Sequence, residues 1–295
     1  MARSEDIPRG QGGYAAQSGA DHTKSLNSEP EIVFVAPLGR LTSLSADFDS
    51  HREHLMGELI ISGPAGRIEA RYTQAPGENP PIALILHPHP KAGGTMQDPV
   101  TITLFEMFAA HGFSTMRFNF RGVGRSQGTF DAGVAELSDA AYVLDHLEQI
   151  NEAPSQCWVA GSGFGAYICL QLLMRRPEID GFVAVAPPAN HYDLAFLAPC
   201  PASGIILAGE KDIVAPPSDI DRSLTKVRVQ KGEVIERANV PGANHFFQGK
   251  LEELEKISSA YLKKRMKAFE KAQKEAAEAK AIKDAAKLPA PPKQS

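Results

Sequence analysis

Cysteine is scarce in this chain, and what there is follows no metal-like spacing. Only three cysteines, Cys157, Cys169 and Cys200, occur among 295 residues, and each lies in an apolar or proline-rich setting. Disulfide frameworks and zinc clusters require paired or regularly spaced cysteines. We therefore expect three reduced thiols in the core of a cytoplasmic protein, with neither a disulfide framework nor a metal site.

The chain also lacks long apolar runs and an excess of positive charge. No apolar stretch approaches the roughly 20 residues that a membrane span needs, and no secretory signal is visible at the N-terminus. The formal net charge of -4 gives no electrostatic reason to expect nucleic acid or an anionic membrane as a partner. The expected partner is a small-molecule substrate or ligand, and the sequence leaves the oligomeric state open.

Composition divides the chain into three parts. Residues 1–55, of which the first thirty are rich in glycine, serine and charge, predict a disordered or weakly structured extension. Residues 56–269 form the predicted domain, and Met56, directly before the first regular strand, is a candidate for the native start. Residues 270–295 predict a charged helical segment followed by a proline-rich disordered tail.

Strand-like and helix-like segments alternate through the predicted domain. Ile82–Leu86 is a continuous apolar run, as expected for a strand buried on both faces of a sheet. Such alternation predicts an α/β fold with a mostly parallel central sheet and helices on both faces. Only about 18 residues, 186–203, separate two consecutive predicted strands. This connection is too short to form a separate cap domain, so we expect an open site.

The stretch from Cys157 to Tyr167 predicts a buried strand, a tight glycine turn and an apolar helix. This strand–turn–helix pattern, with glycines on both sides of a serine, is typical of a nucleophile elbow. Aligning Gly161 and Gly165 with the two glycines of that pattern places Gly163, and not Ser162, at the nucleophile position. The fold prediction is unaffected by this displacement, but the catalytic interpretation depends on it.

Two further side chains have the positions that serine-hydrolase chemistry requires. Such chemistry needs a base to accept the proton of the nucleophile, a carboxylate to orient that base, and backbone N–H donors for the oxyanion. Asp212 and His245 each follow a predicted strand, in the chain order nucleophile, acid, histidine. Because ligands bind at the carboxyl ends of strands in α/β sheets, we expect both loops at that edge.

The chain resembles the α/β-hydrolase superfamily, and within it a compact bacterial subgroup of lidless hydrolases. The resemblance spans about Gly57 to Met266 and rests on motifs that occur in the same order along the chain. They are His87-Pro88-His89-Pro90 with Gly93-Gly94-Thr95-Met96, Arg117-Phe118-Asn119-Phe120-Arg121-Gly122-Val123-Gly124-Arg125-Ser126, the elbow, Ala186-Pro187-Pro188-Ala189, Phe196-Leu197-Ala198-Pro199-Cys200-Pro201, Gly209 to Asp212, and Gly242-Ala243-Asn244-His245-Phe246-Phe247.

The resemblance implies roles for individual residues. Asp212 takes the position of the acid and His245 that of the base. His89 and Phe164 would supply the oxyanion N–H groups, since Pro88 and Pro90 have none to give, and Gly163 belongs to the same substrate-binding turn. Where the family has its elbow serine, this chain has Gly163.

Two functional hypotheses follow. In the first, the protein is an esterase-like hydrolase of small ester, thioester or amide substrates, and Ser162 is a candidate replacement for the missing nucleophile. In the second, it is a catalytically impaired relative that binds a ligand or partner, with Asp212 and His245 kept as a structural pair. Gly163 is the residue that separates the two hypotheses.

Other candidate motifs favour structural interpretations. His87 and His89 have a chelating spacing, but no nearby cysteine or carboxylate completes a set of metal ligands. The glycine pairs Gly93-Gly94 and Gly122–Gly124 lack the lysine and hydroxyl of a P-loop and the dinucleotide fingerprint. We therefore expect no cofactor. Asp193 is a possible reserve acid, although the loop that carries Asp212 fits better.

Overall fold

The computed structural model describes residues 56–227 and 234–285. The predicted extension at residues 1–55 and the tail from residue 286 onward lie outside the described residues. Eight strands form the sheet: β1 (Met56–Gly63), β2 (Gly66–Thr73), β3 (Ile82–Leu86), β4 (Ser114–Phe118), β5 (Cys157–Ser162), β6 (Gly181–Val185), β7 (Ser203–Gly209) and β8 (Ile235–Val240). The α-helices are α1 (Pro99–Ala110), α2 (Val134–Gln149), α3 (Phe164–Leu173), α4 (Pro217–Leu224) and α5 (Leu251–Ala285).

The strands form one sheet in the order β1-β2-β4-β3-β5-β6-β7-β8. A tight turn joins β1 to β2, so these two strands pair antiparallel, and β2 also pairs antiparallel with β4. From β4 to β8 every neighbouring pair is parallel, because a crossover segment returns the chain to the same end of the sheet each time. The predicted fold, an α/β-hydrolase sheet with helices on both faces, is confirmed.

Both faces of the central strands are buried. Successive side chains of a strand point to opposite faces, so Leu84 and Leu86 join one apolar cluster while Ala83 and Ile85 join the other. On the second face Trp158 of β5 packs against Phe108 and lies near Tyr261 of α5. Every residue of β3 and β5 is buried, which explains why their sequences read as unbroken apolar runs.

Some predicted boundaries differ from the observed ones by a few residues. The apolar segment 113–120 predicts a strand. In the structure β4 ends at Phe118, because Asn119 N–H donates to Glu69 O and Phe120 N–H donates to Nε2 of His87. Helix α2 begins at Val134, where the carboxylate of Glu136 accepts the N–H of Gly133. Helix α4 ends at Leu224, whereas the sequence predicts helix to Val229, and the predicted strand start at Glu233 lies outside the described residues.

The connection between β6 and β7 contains only a 3₁₀ helix at Ala195–Leu197. There is accordingly no cap domain at this point of the fold, as the sequence predicts. Helix α5 packs its first half on the sheet through Leu254, Tyr261 and Leu262, and its side chains from 270 to 283 are exposed. Within the described ranges, no helix has both the length and the apolar character to cross a bilayer.

Candidate active site

The turn between β5 and α3 is a strand–glycine–helix elbow centred on Gly163. Its backbone has φ 54° and ψ -119°, a left-handed conformation that favours glycine, and its N–H donates to Val185 O at 2.8 Å. A Cβ on Gly161 would lie 2.5 Å from the backbone carbon of Gly165, and one on Gly165 would collide with the carbonyl oxygen of Leu86. Only glycine at 161 and 165 therefore allows α3 to start this close to the sheet.

Asp212 and His245 form a hydrogen-bonded pair beside the elbow. Oδ2 of Asp212 lies 2.8 Å from Nδ1 of His245, and Oδ1 accepts the N–H groups of Val214 and Ala215, each at 2.8 Å. The two amides leave Oδ2 to orient the imidazole. A carboxylate can only accept, so Nδ1 of His245 carries the proton and Nε2 keeps a lone pair.

The lone pair of His245 faces the elbow glycine. A Cβ built on Gly163 would meet Nε2 of His245 and Cβ of Pro88, each at 3.8 Å, and no closer atom outside the two adjacent residues of the chain. These are ordinary van der Waals distances. The structure thus brings residues 163, 212 and 245 together, as the sequence predicts from their positions after β5, β7 and β8.

The predicted oxyanion donors lie beside the same glycine. His89 follows β3 and precedes a 3₁₀ helix at Pro90–Ala92, and Phe164 is the first residue of α3. Among the described residues neither backbone N–H donates a hydrogen bond to another protein group. The ring of His89 packs against Phe164 at 5.0 Å between centroids. Two amides next to a helix N-terminus can stabilise a developing negative charge.

Ser162 lines the same cavity but belongs to the strand. It is the last residue of β5, is 4% exposed and is paired with Val185. Along the strand it shares a side with Ala160 and Trp158, which belong to the α5 face of the core. In the part of the chain that the structure describes, Ser162 makes no hydrogen bond to His245. The side chain that would face Nε2 is therefore that of residue 163.

A cavity of about 590 Å³ joins these elements. Besides His89, Ser162, Gly163, Phe164 and His245 it is lined by Pro88, Ala92, Gly93, Gly94, Asp98, Val100, Pro188, His191, Tyr192, Val214 and Phe246. Most of these side chains are apolar. Phe246, next to His245, and Ile213, next to Asp212, are 61% and 89% exposed, so the neighbourhood of the pair is both apolar and open.

Sequence reasoning missed Asp98, His191 and Tyr192 as cavity residues. Asp98 is the N-cap of α1, where Oδ1 accepts the N–H of Val100 at 3.0 Å. Burial raises the pKa of Asp98, while the hydrogen bonds from Val100 and Thr101 and the nearby His245 act in the opposite direction. An aspartate before Pro99 is a helix-start signature, and only the fold shows that this helix starts at the cavity.

His87 does not line the cavity and is fully buried. Its Nε2 accepts the N–H of Phe120 at 3.0 Å, so its Nδ1 donates to Pro88 O at 2.7 Å. Burial lowers the pKa of His87 to about 4, against a smaller opposite effect of the Pro88 hydrogen bond. Through these two hydrogen bonds the neutral ring of His87 links the loop after β3 to the loop after β4. The described residues contain no group of three or more side chains suited to hold a metal ion.

Comparison with known proteins places this geometry in a family. The family model described as serine aminopeptidase, S33, matches residues 93–199. An uncharacterized protein of Rickettsia prowazekii is 43% identical over 211 residues, which cover 70% of this chain and 89% of that protein. Both matches include the elbow.

Two solved structures are similar over the described domain. A candidate α/β hydrolase of unknown function from Agrobacterium tumefaciens is 52% identical, with a TM-score of 0.69, covering 72% of this chain and 97% of that one. A lidless α/β serine hydrolase from Xanthomonas campestris is 25% identical, with a TM-score of 0.63, covering 71% and 94%. Together with the sheet order and the elbow, these similarities establish that the chain belongs to the α/β-hydrolase family.

Proposed function

We propose that this protein hydrolyses small ester, thioester or amide substrates, with Asp212 and His245 as its acid–base pair. The observation that carries the proposal is the hydrogen bond of 2.8 Å between Asp212 Oδ2 and His245 Nδ1, with Nε2 directed at the elbow. A histidine held in this tautomer can accept a proton from an attacking nucleophile and return it to the leaving group.

The surroundings of the pair support acyl chemistry. A carbonyl carbon placed beside Gly163 would direct its oxygen toward the N–H groups of His89 and Phe164. One such donor typically contributes about 100- to 1,000-fold to the rate of acyl transfer. The apolar lining of the cavity favours a small uncharged acyl group. The relative from Xanthomonas campestris, a serine hydrolase without a lid, supports the same reaction class.

The alternative of a ligand-binding relative without activity rests on Gly163 alone. The comparisons do not favour it, because one named structural relative is described as a candidate α/β hydrolase and the other as a serine hydrolase. The hydrogen bonds of Asp212 also support an active pair. Oδ1 accepts two backbone amides and Oδ2 contacts the imidazole, so the carboxylate is fixed and holds His245 in one orientation.

The test is hydrolysis of a panel of short-chain p-nitrophenyl esters, thioesters and anilides by the full-length chain. His245→Ala should lower the rate at least about 100-fold, because general-base catalysis typically contributes that much. Ser138→Ala, at an exposed position of α2, is the matched control and should keep the wild-type rate. Equal rates for the wild type and His245→Ala on every substrate would contradict the proposal.

A further inference from the structure

The space beside Gly163 is bounded by a base and by an apolar wall. A Cβ on this residue would stand 3.8 Å from Nε2 of His245 and 3.8 Å from Cβ of Pro88, with no closer atom outside the two adjacent residues of the chain. A serine at this position would extend one covalent bond further toward Nε2 and come within hydrogen-bonding reach. Gly163 leaves that volume open to another oxygen atom.

We propose that water, and not a side chain, is the nucleophile of this hydrolase. A water molecule hydrogen-bonded to Nε2 of His245 would occupy the volume of the elbow serine side chain. His245 is 17% exposed at its side chain whereas Asp212 is fully covered, so water can reach the base but not the carboxylate behind it. The inference rests on the proposed function and adds that no acyl-enzyme forms.

The bonds and protons of this reaction balance without any further reactant. The water oxygen bonds to the carbonyl carbon while one of its protons moves to Nε2 of His245. The carbonyl oxygen becomes an oxyanion that the N–H groups of His89 and Phe164 stabilise, and Asp212 stabilises the imidazolium. The intermediate then expels the alcohol or thiol, which takes the proton from Nε2, and the free acid remains.

Ser162 is poorly placed to replace water in this reaction. It precedes the elbow glycine, and its backbone belongs to β5 through pairing with Val185. Successive strand residues point to opposite faces, so Ser162 lies on the side of Ala160 and Trp158. Attack by Ser162 would require the end of a wholly buried strand to rotate.

The proposal also selects a class of substrate. Without a covalent intermediate, a single attack must break the acyl bond, and water is a weaker nucleophile than an activated serine. Leaving groups of low pKa, such as thiols near 8.5, depart far more easily than amines or alkyl alcohols. Among the ester, thioester and amide substrates of the proposed function, the water mechanism therefore selects thioesters and aryl esters of small apolar acids and disfavours amides.

The experiment uses the full-length chain with p-nitrophenyl butyrate and the butyryl thioester of N-acetylcysteamine. Hydrolysis rates are measured for the wild type, Ser162→Ala, His245→Ala and the control Ser138→Ala. Each protein is also quenched in acid during turnover, and its intact mass is measured to detect acylation. Gly163→Ser provides a positive control for acylation, and thermal unfolding verifies that every variant is folded.

The expected result is hydrolysis by the wild type that the control Ser138→Ala retains and His245→Ala lowers at least about 100-fold, with no acylated protein in the wild type. Gly163→Ser should become acylated. Wild-type acylation that disappears in Ser162→Ala would overturn the water mechanism and leave the hydrolase assignment intact. Turnover by Gly163→Ser alone would also overturn it. Absence of activity in both the wild type and Gly163→Ser would contradict the proposed function as well.

Discussion

Nε2 of His245 lies 3.8 Å from the point where a Cβ on Gly163 would stand. This distance places the base beside the central glycine of the elbow, where the family has a nucleophile. The backbone of Gly163 keeps a positive φ of 54°, so the turn has the shape that presents a nucleophile although no nucleophilic side chain occupies it. The consequences can be measured with single substitutions.

Gly163→Ser should raise esterase activity at least about 100-fold, because the new hydroxyl would lie within reach of His245. Nucleophile and base act as a unit in serine triads, so adding His245→Ala should abolish nearly the whole gain. The serine must adopt a positive φ, which should lower the free energy of unfolding by about 1 kcal/mol or more. Kinetics and urea denaturation of the single and double variants test this. A folded Gly163→Ser protein without a gain would show that other parts of the site are not competent.

Two replacements of Asp212 should distinguish its effect on the orientation of His245 from its contribution to the stability of the fold. Asp212→Asn keeps an oxygen for the N–H groups of Val214 and Ala215 but disturbs the tautomer of His245, so activity should fall by about 10⁴-fold with little loss of stability. Asp212→Ala also leaves the part-buried amide of Val214 and the buried amide of Ala215 without their acceptor and should cost about 1–3 kcal/mol more. Rates and denaturant midpoints of the two variants provide the comparison. Equal stability of both would indicate that water replaces the carboxylate at these amides.

The buried His87 should make stability depend on pH. Its pKa is about 4 in the folded chain and 6.5 ordinarily, so the unfolded state binds more protons between these values. The free energy of unfolding should be highest above pH 6.5 and fall by on the order of 3 kcal/mol as the pH approaches 4. Urea denaturation at several pH values measures the slope. His87→Gln, which cannot titrate, should reduce that slope, and an unchanged slope would assign it to other groups.

Arg121 and Asp139 form a covered ion pair that connects the loop after β4 to α2. Two hydrogen bonds of 2.7 and 2.6 Å join them, and the side chain of Asp139 is 1% exposed. Asp139→Asn should lower the free energy of unfolding by about 3 kcal/mol, since it leaves a partly buried guanidinium without its counter-charge. The double variant Arg121→Met, Asp139→Leu should be less destabilised than the single one. Chemical denaturation tests both, and a double variant less stable than Asp139→Asn would contradict this expectation.

Much of the fold could be predicted because local patterns and tertiary structure agree. The apolar run Ile82–Leu86 predicts a doubly buried strand, and β3 has those bounds. Boundaries differ where a backbone group has a partner outside its own element, as with Phe120 N–H and His87. Such partners come from segments distant in sequence, and no local pattern encodes them.

The candidate site also has features that local sequence patterns predict and features that depend on the tertiary structure. The sequence by itself determined that Asp212 and His245 each follow a strand, because chain order and strand ends follow from local patterns. It also predicted, from the resemblance, that Gly163 takes the position of the family's elbow serine. Only the tertiary structure decided that Nε2 faces residue 163 and not Ser162, that Asp98 and Tyr192 enter the cavity, and that His87 fastens two loops. Side-chain direction depends on strand alternation and on the positive φ of a single glycine, and cavity walls come from segments that meet only when the sheet forms.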